Sequence, residues 1–99
     1  MEFRDLEKVR VIIKDATGLD VSYAYDDLVF PDHTAFIVQF DDTNANNLFC
    51  YFHEDFDVED QKIISASLTS ISNKKGCTML PKGTFRLKEK QGEVEIHFS

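Results

Sequence analysis

Two alternating segments on either side of a polar loop constrain this chain more than any other feature. Thr34–Phe40 and Leu48–His53 flank Asp41-Asp42-Thr43-Asn44-Ala45-Asn46-Asn47. Successive side chains of a strand point to opposite faces, so the alternation predicts two strands joined by a loop. Pairing Phe40 with Leu48 sets Val38 opposite Cys50 and Phe36 opposite Phe52, which makes one face wholly apolar. The other face then pairs Gln39 with Phe49, Ile37 with Tyr51, and Ala35 with His53. A slip of one residue would mix the two faces, so the pattern selects this register.

An apolar sheet face has to be covered, and two segments carry the pattern of covering helices. Leu6, Val9, Ile13 and Ala16 recur at helical spacing, with Phe3 and Ile12 widening the stripe, which predicts a helix over residues 3–16 that ends at Gly18. A second helix has clear end signals. Asp57 suits the N-cap, Glu59 and Asp60 place negative charge in the first turn, and Phe56 sits where an apolar staple would. Ile64, Leu68 and Ile71, with Ile63 beside them, form its buried stripe, and Gly76 follows Lys74 and Lys75 at its end.

The remaining segments read as strands. Leu19, Val21, Tyr23 and Tyr25 alternate, Asp26-Asp27 interrupts them, and Leu28–Phe30 is a continuation or a separate piece before the turn Pro31-Asp32-His33. Cys77–Leu80 predicts a short strand ending at Pro81, with a turn at Lys82-Gly83. Thr84–Lys88 and Glu93–Phe98 form a hairpin around Glu89-Lys90-Gln91-Gly92. Pairing Lys88 with Glu93 sets Arg86 opposite Glu95 and Thr84 opposite His97, and leaves Phe85, Leu87, Val94, Ile96 and Phe98 on the other face. The expected fold class is α+β in one domain over residues 1–99. It is a two-layer sandwich in which an antiparallel sheet of five to six strands carries both helices on one face, in the order α-β-β-β-α-β-β(-β).

Charge narrows the classes of function. The net charge is −7, which disfavours binding to nucleic acid and to anionic membranes. Residues 15–61 hold twelve carboxylates and no Lys or Arg, whereas residues 62–99 hold seven basic and three acidic residues. No apolar run approaches the ~20 residues of a membrane span. The charged N-terminus lacks the apolar core of a signal peptide. The two cysteines, Cys50 and Cys77, show neither CxxC spacing nor the density of a disulfide framework. The expectation is a soluble cytoplasmic protein.

Candidate chemistry is sparse. Asp42-Thr43-Asn44-Ala45-Asn46 begins like a calcium loop, but Asn47 stands where the loop needs Gly and His53 where it needs Glu. The serines near the second helix have no nucleophile elbow around them, and four scattered glycines make no phosphate loop. In the strand register above, His33 lies on the same face as His53 and opposite Asp55. Two imidazoles and a carboxylate suit zinc or a similar divalent ion. A small metal-binding domain or metal-dependent enzyme using His33, His53 and Asp55 is therefore the alternative expectation.

The leading expectation rests on the second sheet face. Ile37, Phe49 and Tyr51, joined by Tyr23 and Tyr25, point away from the helices. If that face stays open, aromatic side chains inside an acidic rim have the anatomy of a protein–protein interface. If it does not, the tail hairpin or the Leu28–Phe30 segment folds over it. The order of elements resembles that of small acidic secretion chaperones, dimeric mixed domains that hold a partner chain, though this chain ends in a strand where they carry a further helix. A small acidic, non-enzymatic interaction module (an adaptor, inhibitor or chaperone-like protein), homodimeric and without a cofactor, is expected.

Overall fold

The computed structural model describes residues 6–25, 27–44 and 46–98. Its elements run α1 (Leu6–Thr17), β1 (Val21–Tyr25), β2 (Leu28–Pro31), a short 3-10 turn (Asp32–Thr34), β3 (Phe36–Phe40), β4 (Asn47–His53), α2 (Val58–Lys74), β5 (Thr78–Lys90) and β6 (Glu93–Phe98). The six strands form one sheet in sequence order, with both helices on one face. The expected α+β class and element order are observed; residues 3–5 of the predicted first helix lie outside the described residues.

The β3–β4 register is the one read from the sequence, with Phe40 on Leu48, Val38 on Cys50 and Phe36 on Phe52. These residues meet Val9, Ile12 and Ile13 of α1 and Leu68 of α2 in the larger core. The Asp57 carboxylate caps α2 by accepting from the amides of Glu59 at 2.8 Å and Asp60 at 3.3 Å. Gly76, at φ +80°, turns the chain out of the helix, and the Cys77 amide returns to the Ser72 carbonyl at 2.8 Å. Ile63 is exposed and not part of the buried stripe, which on α2 comes down to Leu68 with partly buried Ile64 and Ile71.

Three expectations are corrected. The sheet is mixed, because β4 and β5 pair in parallel while the other four pairs are antiparallel. The chain leaves β4, crosses over through the 17-residue α2 and returns beside it, as parallel neighbours require. Cys77–Leu80 is not a separate strand ended by a turn. Strand β5 runs unbroken from Thr78 to Lys90, and Pro81-Lys82-Gly83 makes an irregularity in it: Cys50 pairs with Pro81 but Tyr51 with Gly83. The tail hairpin is two residues out of the expected register, with Lys90 on Glu93, Lys88 on Glu95 and Arg86 on His97. Gln91 (φ +52°) and Gly92 (φ +82°) close it as a two-residue turn of the left-handed kind, whose twist matches that of the strands.

The sheet also curls. Strands β1–β2 and β5–β6 lie at opposite ends of the strand order, yet both line one hollow on the face away from the helices. Among the described residues, no helix is long and apolar enough to cross a membrane.

Candidate binding cleft

The concave face is built by the alternate positions of every strand. Beneath the hollow lies a second core of Ile37, Tyr51 and Phe85, flanked by half-buried Leu28, Phe30, Phe49 and Ile96. A one-residue irregularity between Val21 and Tyr23 puts Val21 against the helix-side core and turns Tyr23 and Tyr25 into the hollow. The resulting cleft has a volume of about 700 Å³, with Tyr23, Tyr25, Leu28 and Phe30 on one wall and Leu87, Val94, Ile96 and Phe98 on the other.

The curl decides which expected surface residues are reachable. Ile37 and Tyr51 do face away from the helices, but they are buried beneath the curled sheet, at 0% and 7% exposure. Phe49 is half-buried, with the Lys82 ammonium 4.1 Å above its ring. Tyr23 and Tyr25 remain open at 58% and 60% exposure. Opposite them, Val94, Phe98 and Leu87 are exposed as well. The surface expected as an aromatic patch is therefore a cleft whose floor is filled and whose rims are open. The rings are held by one another: Tyr23 lies 5.7 Å from Phe30 and edge-on to Tyr25 at 6.5 Å, and Tyr51 lies 4.4 Å from Phe98.

A polar chain runs from the floor of the cleft to Asp27 in its lining. The Tyr51 hydroxyl donates to Gln39 Oε1 at 3.0 Å, and Gln39 Nε2 donates to Asp27 Oδ2 at 2.8 Å. This chain satisfies the buried phenol and fixes the orientation of the Asp27 carboxylate. Burial raises the Tyr51 pKa above its ordinary value, and the negative charge of Asp27 adds to the rise. The phenol stays protonated as a donor.

The residues read as a metal site form no three-residue cluster among the described residues. His33 sits exposed in the 3-10 turn at φ +69°, where β-pairing has ended. His53 packs edge-on against Phe85 at 5.2 Å, and its Nδ1 accepts the Asp55 amide at 3.1 Å. Asp55 is exposed. Among the described residues, no group of three or more His, Cys, Asp or Glu side chains is placed to hold a metal ion. The calcium-like loop spends its side chains on itself. Asp41 Oδ1 accepts from the Thr43 amide at 2.8 Å and the Thr43 hydroxyl at 2.6 Å, and these bonds lower the Asp41 pKa. Cys50 and Cys77 are free and buried, and burial pushes the Cys50 thiol up to about 12, which leaves it inert as a nucleophile at neutral pH.

Phe30, Leu87, Val94, Ile96 and Phe98 complete the cleft and were not among the surface residues read from the sequence. Their alternation was legible, since the hairpin's apolar face carried four of them. Its placement opposite Tyr23 and Tyr25 depends on the curl. Comparison with protein-family models, curated proteins and solved structures finds no match.

Proposed function

We propose that this chain is a non-enzymatic protein–protein interaction module of the adaptor, inhibitor or chaperone-like kind, and that its concave cleft receives an apolar segment of a partner protein. The observation that carries this reading is the cleft itself: large apolar side chains stand exposed on two facing walls above an already filled floor. Open apolar surface of this kind costs solubility unless it is used. Tyrosines at the rim suit a protein interface, because their rings contribute area while their hydroxyls stay wet. The acidic stretch of residues 15–61 supplies strands β1 to β4 and favours basic partners in the encounter. Two free, buried thiols fit a reducing, cytoplasmic setting.

Selection of a phage-displayed library of random short peptides tests this reading. The wild-type protein enriches peptides with alternating apolar residues. Tyr25→Asp and Leu87→Asp, which place charge on opposite walls at exposed positions, melt like the wild type and lose that enrichment. Wild-type protein that enriches nothing, or variants that keep the same peptides, would overturn it.

A further inference from the structure

We propose that β6 is a self-recognition edge through which two copies of this chain pair antiparallel about a two-fold axis at Ile96. The proposal is independent of what fills the cleft. Strands β1 and β6 are the two edges of the sheet, and among the described residues β6 pairs only with β5. Natural edge strands are blunted by bulges, prolines, charged side chains, inward-pointing charges above all, or short length. Strand β1 has such a device in the irregularity between Val21 and Tyr23. Over its six residues β6 has no bulge, no proline and no inward-pointing charge: its pairing to β5 is regular throughout, its inward positions are Val94, Ile96 and Phe98, and its charges, Glu93 and Glu95, stand on the outer face.

A two-fold edge must also be complementary to itself, because each residue meets its counterpart in exchanged positions. Three central registers keep the two faces of the joined sheet apart. Centring on Glu95 sets like charges opposite each other, and centring on His97 sets imidazole opposite imidazole. Centring on Ile96 sets Glu95 opposite His97 twice, Val94 opposite Phe98 twice, and Ile96 opposite itself. Of the three, only this last register pairs acceptor with donor and apolar with apolar throughout residues 94–98. In the single chain His97 Nε2 already lies within ion-pair reach of a carboxylate, its own Glu95 at 3.5 Å, without a hydrogen bond, so the two groups the register opposes are close-matched in charge. In the joined sheet the two concave clefts lie side by side on the same face.

Sedimentation equilibrium and cysteine cross-linking test the proposal. The wild-type chain is expected to sediment as a dimer. Val94→Lys puts an inward charge on the edge at a position exposed enough to leave the fold intact by circular dichroism, and weakens the dimer by roughly tenfold or more. Tyr25→Asp, which damages the cleft from the far wall, dimerises like the wild type, so a failed cleft and a failed edge give different results. Under mild oxidation Ile96→Cys forms a disulfide-linked dimer and Val94→Cys does not. Wild-type protein that stays monomeric at its highest soluble concentration overturns the proposal. So does Val94→Cys cross-linking as readily as Ile96→Cys. If Ile96→Cys fails to fold, the Val94→Lys comparison still decides.

Discussion

The two faces of this sheet are made by the same strands and the same alternation, yet one is sealed and the other is open. On the helix side, Phe36, Val38, Leu48 and Cys50 are fully buried beneath α1 and α2. On the concave side only the floor, at Ile37, Tyr51 and Phe85, reaches that state, and the walls carry exposed Tyr23, Tyr25, Val94 and Phe98. Apolar content does not separate the faces. What separates them is that a second layer of secondary structure covers one, while the other has only its own curvature to close it.

Substitutions can test how deep that difference runs. The largest effect is expected for Phe36→Ala, which leaves a cavity under the helices and should cost about 3–5 kcal/mol in urea unfolding. Alkaline titration should sharpen the contrast next. The Cys50 thiol is raised from 9.0 to about 12 in the folded chain, so folding favours its protonated form. Its contribution is present in full below pH 9 and is lost as pH rises towards 12; Cys50→Ala should flatten the stability profile across that window. On the concave floor, Tyr51→Phe removes the hydroxyl bonded to Gln39 and should cost about 0.5–1.5 kcal/mol. Ser72 Oγ is buried on α2 without a hydrogen-bond partner, so Ser72→Ala is expected to be neutral or to stabilise by up to about 1 kcal/mol. Tyr25→Ala on the open wall should change stability by no more than about 0.5 kcal/mol in the same assay. A large loss there would mean that the wall is structural and the faces are alike.

The sequence shows local periodicity well and long-range closure poorly. The β3–β4 register was legible because a one-residue slip would have mixed apolar and polar residues on both faces. The Asp57 cap and the two helices were legible from end signals within a few residues. The parallel β4–β5 joint was not, because nothing in either strand records that a helical crossover brings them together. The curl was not either, since a period of two says which side a residue takes and nothing about how the sheet bends. For that reason Ile37 and Tyr51 had the right face and the wrong exposure. His53 had the right register too, and what the strand pattern could not show is its neighbour across β5, Phe85, which meets its ring edge-on. The tail hairpin kept its faces despite the two-residue shift, because a slip of two preserves which side each residue takes.

The parallel joint bears on how the chain assembles. Strands β1 to β4 form a meander of neighbours, and β5–β6 a hairpin, and each can be drawn together by contacts close in sequence. Joining them closes a loop through α2, a longer-range contact than any within the meander or the hairpin and therefore costlier in chain entropy. Without this joint the free side of β4 and the apolar inner row of the hairpin would both be unshielded. A substitution that loosens the β4–β5 joint is therefore expected to expose two strand edges at once and to promote aggregation more than one that loosens either half alone.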